Sequence, residues 1–446
     1  MKRSQKIREK APEMDSLRLA AGWTLEDLGK TQIIIESTYG NSHPGSVHLG
    51  SLSDRVAKMI KGEGAMPAKY FVTDICDGCA QGHDGMNYSL PAREFMTNMM
   101  ETHIGATMFD GAVFLASCDK AIPAQLNVIA RMNIPSIILP GGVMKAGPDM
   151  LTLEMIGTYY AKFQKNEISK EQFNYYQENA CTGCGACQFM GTAGTMQVMC
   201  EALGLAIPGT ALLPGDGEQL INASKSVAKY AVKLAEMDLT PKEILTKEAI
   251  ENAIMIHASI AGSTNALLHI STMVRELGLN MDVVSKFDEL HRKVPFILNI
   301  KPSGKYPSEY LWYIGGVPAI MEEIRDYLHL DVMTVTGKTL GENLDELKNN
   351  GYYNDISLML KQKNVSKRDI LFSVKKPIQD QGAIAILKGN IARDGAVIKH
   401  SATPKKMHNA VLKARPFNSE EEAISAIFNN QIHPGEAIII RYEGPK

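Results

Sequence analysis

The stretch GAVFLASCDKAIPAQLNVIARMNIPSIILP, residues 111–140, decides the fold. Gly111 to Ala116 is an apolar run too short for a helix, a helical pattern follows near Ala124 to Met132, and Pro135 to Pro140 is a second short apolar run. Strand, helix and strand in that order predict two parallel strands joined by a right-handed crossover. The same alternation holds upstream. Thr31 to Glu36 (TQIIIE) reads as a buried strand, Val47 to Lys61 has helical spacing, and Lys69 to Thr73 (KYFVT) reads as the next strand. The expected class is therefore α/β with a parallel sheet.

Downstream the pattern changes twice. The middle is helical, with one helix over Lys247 to Ile260 and a second from a Ser263 N-cap to Leu277, ended by Gly278. Beyond Arg368, AIAILKG (383–389), AVIKHS (396–401) and EAIIIRYEG (436–444) are strand-like between Gly, Asp and Pro turns. A chain of 446 residues is too long for one ordinary core, so two domains are expected. They are an α/β domain over 1–365 and a partial, mostly β domain over 366–446. A strand reaching almost to Lys446 leaves an open sheet edge, which suggests that further strands belong to the second domain.

The totals exclude several classes. A formal net charge of −2 disfavours a nucleic-acid partner held through phosphates. No apolar run approaches the ~18 residues of a membrane helix, and the charged start MKRSQKIREKAPEMD lacks a signal-peptide core, so a cytoplasmic protein is expected. Seven cysteines in such a chain point to metal or catalysis more than to disulfides.

Ligands of open α/β sheets bind beyond the carboxyl ends of the strands, and two chemical clusters sit there. The strand at 69–73 runs into TDICDGCAQGHDGMNYSLPARE (73–94), with Asp74, Cys76, Asp77, Cys79, His83 and Asp84. The strand at 111–116 runs into Cys118, Asp119 and Lys120; a lone buried cysteine in a tight turn is the plainer reading of that tripeptide. A third cluster, ACTGCGACQFMGTAGTM (180–196), holds Cys181, Cys184 and Cys187 in a C-x2-C-x2-C run whose glycines permit a tight loop. That spacing suits an iron–sulfur cluster. Zinc is the rival, with Cys76 and Cys79 as the second pair of a four-thiolate site. His43 and His48 stay unassigned, and no P-loop or G-x-G-x-x-G motif follows a strand, which disfavours nucleotide binding.

Taken together and in order, DGCAQGHDGMNYSLPARE (77–94), ASCDKAIPA (116–124), ACTGCGACQFMGTAGTMQ (180–197), ALGLAIPG (202–209), IENA (250–253), GSTNALLHI (262–270), DVMTVTGKTL (331–340) and IIIRYEGPK (438–446) resemble the family of dihydroxy-acid, phosphogluconate and aldonic-acid dehydratases. The resemblance implies a hydro-lyase with an iron–sulfur cluster, 2Fe–2S or 4Fe–4S, and Mg2+. It implies cluster ligands at Cys118 and Cys187, and magnesium ligands at Asp77, Asp119 and Lys120, the lysine being carbamylated in family members. Carbamylation turns an amine into the oxygen ligand a hard cation prefers. Glu443 is a further candidate metal ligand. Many members have Pro-Cys-Asn where this chain has Pro44-Gly45-Ser46; Cys184 or Cys181 is the candidate to compensate.

The family's catalytic base, a serine in a Gly-Arg-Phe-Ser-type loop, is expected beyond Lys446, so the barrel-like second domain is expected to be incomplete. The implied reaction removes water from a 2,3-dihydroxy acid and gives a 2-keto-3-deoxy acid. An aldonic acid such as a pentonate is the first expectation for substrate, and dihydroxy-isovalerate of branched-chain amino-acid synthesis is the alternative. A non-catalytic metal-binding fragment is a third reading. The resemblance also implies a homodimer or tetramer.

Overall fold

A computed structural model describes residues 2–443, with the side chains of 355, 357 and 358 left out. The tail of the IIIRYEGPK motif, Gly444 to Lys446, lies outside the described residues. The centre is a four-stranded, all-parallel sheet of β1 (Gln32–Thr38), β2 (Met66–Val72), β3 (Gly111–Ala116) and β4 (Ser136–Pro140), in the order β2-β1-β3-β4. β1, β3 and β4 are buried along their whole length, which is why the cores of β3 and β4 read as apolar runs, while β1 buries Gln32 and Glu36 beside Ile33 to Ile35. β2 is one of the two edge strands, and its burial is interrupted at alternate residues.

Helices cover the sheet. Leu49–Gly62 packs on β1 and β2, and Glu218–Met237 packs on β3 and β4. Ser89–Thr107 and Ala121–Met132 pair with each other, and the latter leans on Asn265–Glu276. All four strands end on the same side of the sheet. The chain leaves β1 toward β2 and then crosses to β3 on the other side of β1, so the loops after β2, β1 and β3 lie next to one another at a topological switch point.

The cysteine loop is tied to that edge. Gly185 N–H donates to Pro44 O at 2.8 Å and Ala186 N–H to Gly142 O at 2.9 Å, which joins it to the loops after β1 and β4. Buried Gln197 donates to Ser117 O at 3.2 Å and to Gly142 O at 2.8 Å, and so ties the loops after β3 and β4. Two helices, Met155–Gln164 and Lys170–Asn179, form a hairpin over the edge, held by stacked rings of Tyr159 on Tyr176 and Phe163 on Phe173.

The C-terminal region is small and rich in strands. β5 (Ala385–Leu387) pairs antiparallel with β6 (Ala396–Ile398). β7 (Lys413–Phe417) pairs parallel with β8 (Glu436–Ile440) across the helix Glu420–Phe428. The expected barrel does not close among the described residues. Its apolar Ile424, Ile427, Phe428 and Ile438 to Ile440 are exposed. No described helix is long and apolar enough to cross a membrane.

Candidate functional site

The carboxylate cluster forms first. Asp77 opens the single-turn helix that follows β2, and Lys120 closes the turn after β3. Lys120 Nζ lies 2.5 Å from Asp77 Oδ2 and 4.0 Å from Asp119 Oδ2. Ser89 Oγ donates to both oxygens of Asp77, at 2.8 and 2.9 Å. Burial pushes the Asp119 carboxyl above the usual carboxylate range; Lys120 opposes the shift and the charge of Asp77 adds to it. Two carboxylates and a buried amine therefore lie together, with Asp77 between the other two groups' cavities.

Two cavities meet at Asp77. The first, about 570 Å3, is bordered by Asp77, Lys120, His269 and, from the far end of the chain, Glu443. Glu443 is held there by accepting the Glu420 N–H at 2.9 Å. His269 is buried, accepts Arg93 Nη1–H on Nδ1 at 3.0 Å, and leaves Nε2 without a partner. The second cavity, about 780 Å3, contains Asp119 and Cys187 and has apolar walls from Leu153, Ile156, Tyr160, Phe173 and Phe189. Its polar wall is Thr192, Ser263 and Asn265, joined by a 2.8 Å bond from Asn265 Nδ2 and a 3.1 Å bond between the two hydroxyls.

The thiols gather beside the carboxylates. Cys118, Cys76 and His43 bring their ligating atoms within 4.8 Å of one another. The Cys118 thiol donates to the Cys76 sulfur, which holds Cys76 below the usual thiol range and, together with burial, pushes Cys118 above it. The backbone N–H groups of Cys79 and Gly78 also lower the Cys76 thiol. His43 Nδ1 accepts the Gly45 N–H at 3.2 Å, so its Nε2–H is left to face Asp74 Oδ1 at 3.2 Å. Burial raises the Cys187 thiol, and the charges of Asp119 and Cys76 reach it.

The structure thus brings Asp77, Asp119 and Lys120 together, sets Glu443 at the same cavity, and places Cys118 and Cys187 next to them. Cys184 is outside the group of His43, Cys76 and Cys118, with the charges of Asp216 and Lys145 reaching it, and Cys181 is exposed. The two C-x2-C groups do not converge on one ion among the described residues. Sequence reasoning left His43 unassigned and used Cys76 only as half of a zinc pair. The signal available for Cys76 was its place at a strand end, directly before Asp77.

The donor chemistry fits both implied groups. Thiolates suit iron and sulfide, while clustered carboxylates beside a carbamylatable lysine suit a hard cation. Residues 30–343 match the profile of the dihydroxy-acid/6-phosphogluconate dehydratase N-terminal region, and residues 369–446 match that of the C-terminal region. The chain belongs to this dehydratase family. It is 38% identical over 445 residues to a dihydroxy-acid dehydratase of Caldicellulosiruptor bescii, covering 98% of this chain and 77% of that protein. Proteins of the same name from Caldanaerobacter subterraneus subsp. tengcongensis (38% over 443 residues, 98% and 76% covered) and Methanosarcina barkeri (35% over 445, 98% and 77%) are similar. The dehydratase is accordingly a hydro-lyase that acts on a dihydroxy acid with a metal or iron–sulfur cofactor.

Proposed function

We propose that this dehydratase binds a 2,3-dihydroxy acid where the two cavities meet and that its substrate is a branched-chain acid such as dihydroxy-isovalerate. The carrying observation is the pairing of the Asp77, Asp119 and Lys120 cluster with a cavity lined in part by Leu153, Ile156, Phe173 and Phe189. A polyol chain against Leu153, Ile156, Phe173 and Phe189 would lose hydrogen bonds to water and find few replacements. An alkyl chain there gains ~0.8 kcal/mol per buried CH2. The printed names of the relatives favour the same reading over the aldonate first expected.

Asp77, Asp119, a carbamylated Lys120 and Glu443 would hold Mg2+, and Cys118 and Cys187 would hold the iron–sulfur cluster. Bound there, the two would supply Lewis acidity for the substrate carboxylate and for the leaving 3-hydroxyl. Thr192, Ser263 and Asn265 orient the polar end of the substrate, and the aromatic hairpin keeps water from the alkyl end. In the balanced reaction the C2 proton goes to a base, the C3 hydroxyl leaves as water, and the enol tautomerises to the keto acid. The base is assigned to no described residue. A domain boundary at 365/366, a cytoplasmic location and a dimer or tetramer belong to the same proposal.

The test is keto-acid formation by the anaerobically purified, reconstituted chain from dihydroxy-isovalerate and from a pentonate, each with Mg2+. A higher kcat/KM for dihydroxy-isovalerate is expected. Equal or better use of the pentonate would sink the substrate class. Binding without turnover of either would replace catalysis with the metal-binding fragment.

A further inference from the structure

We infer that Cys76 takes the cluster-ligand place that Gly45 cannot fill, so that Cys76, Cys118 and Cys187 form the thiolate set. This rests on the iron–sulfur reading above and goes beyond it, because Cys184 or Cys181 was the sequence-based candidate. Position 45 faces the buried thiol directly: a Cβ built on Gly45 would stand 2.9 Å from Cys118 Sγ and 3.0 Å from His43 Nδ1. A side chain there would meet Cys118, and a glycine offers none. The sulfur that does reach the spot comes from the neighbouring strand end. Cys76 Sγ lies within 4.8 Å of Cys118 Sγ, and both are free thiols.

Cys76 is also built as a ligand should be. Its carbonyl accepts the Cys79 and Ala80 N–H groups at 2.9 and 3.0 Å, which fixes the turn that presents its sulfur. It is half-buried, unlike exposed Cys79 and Cys181. His43 is the competing donor in the same group, but its Nδ1 lone pair is used by the Gly45 N–H and its other nitrogen faces Asp74 and Ser46. His43 is therefore a positioning residue that fixes the Gly45 loop against Cys118. Cys184 is not in that group, and the charges that reach it are those of Asp216 and Lys145.

The experiment reconstitutes the chain anaerobically with ferrous iron and sulfide, desalts it, and measures iron, acid-labile sulfide and visible absorption. Wild type, Cys184→Ala and Cys181→Ala are expected to retain equal iron and sulfide with the same colour. Cys76→Ala is expected to lose all three, and adding Gly45→Cys to it is expected to restore them. Alkylation of the loaded wild type, mapped by mass spectrometry, gives a readout free of folding effects: Cys76 should become protected on loading while Cys79 and Cys184 stay reactive. Wild-type sulfide in Cys76→Ala, loss of sulfide in Cys184→Ala or Cys181→Ala, or undiminished alkylation of Cys76 on loading would overturn the assignment. A wild-type chain that retains no sulfide would instead overturn the iron–sulfur reading as a whole.

Discussion

Replacing Lys120 by Met removes the only cation within ion-pair reach of Asp77 among the described residues. The lysine side chain is 4% exposed and Asp77 12%, with Nζ and Oδ2 2.5 Å apart. Removing one partner of such a buried pair strands the other charge and costs ~3–5 kcal/mol. Ser89 still donates twice to Asp77, which places the expected loss at the lower end, about 3 kcal/mol. Urea unfolding in EDTA of wild type, Lys120→Met, Asp77→Asn and the double variant closes a thermodynamic cycle. Neutralising Asp77 should recover most of the loss, giving a coupling of about 2 kcal/mol. Additive single effects would refute the buried pair. The functional counterpart is Mg2+ binding by calorimetry with and without bicarbonate. If Lys120 carries a carbamate when the cation binds, bicarbonate should tighten Mg2+ binding by wild type and leave Lys120→Met unchanged. No bicarbonate effect on wild type would remove Lys120 from the ligand set.

Two further outcomes test the frame that holds the site. Glu36 is fully buried in β1 with His103 Nδ1 at 3.1 Å, and burial raises its carboxyl to about 9 while lowering His103, so both are neutral near pH 7. The folded protein then keeps a proton that the unfolded chain releases. That contribution is complete below the ordinary value near 4.5 and fades as pH rises to about 9. Glu36→Gln, which cannot titrate, should gain about 2 kcal/mol on wild type between pH 6 and 8 in urea unfolding; parallel curves, or a Gln variant weaker at pH 6, would show a charged pair instead. Gly185 has φ +111°, and a Cβ there would meet the Val143 backbone at 2.7 Å. Gly185→Ala should cost about 1–3 kcal/mol and lower iron retention by displacing Cys187, read by urea unfolding and iron assay; normal values of both would dissociate the loop from the cluster.

Much of the fold could be read because each buried strand declares itself locally. β3 runs over the expected Gly111 to Ala116, and the helix Lys247–Ile260 has its expected ends. The predicted cap at Ser263 shifts slightly. The helix starts at Asn265, because Ser263 N–H is held by Thr195 Oγ1 at 3.0 Å while its own hydroxyl accepts the Asn265 N–H at 3.3 Å. β7 was not read as a strand. KARPF mixes charge with Pro416, which an exposed two-stranded pair tolerates and a central strand would not. The helix Glu420–Phe428 between β7 and β8 was missed with it, and so was the parallel pairing it makes possible.

The site was legible residue by residue and illegible as a set. Asp77, Asp119 and Lys120 were named through the family resemblance of the motifs that carry them, and a thiol, a carboxylate and an amine in a row at 118–120 marked one strand end. C-x2-C spacing draws attention to cysteines that are neighbours in sequence. What makes Cys76 and Cys118 partners is the strand order β2-β1-β3, which no local pattern encodes. With β1 in the middle, the loop carrying Gly45 lies between the ends of β2 and β3, and a sulfur at Cys118 can be met from either side. A thiol leaving the β1 loop and a thiol arriving at the end of β2 are therefore geometric alternatives for one ligand place. In this chain position 45 carries no side chain, and the residue directly before Asp77 brings a sulfur to that place.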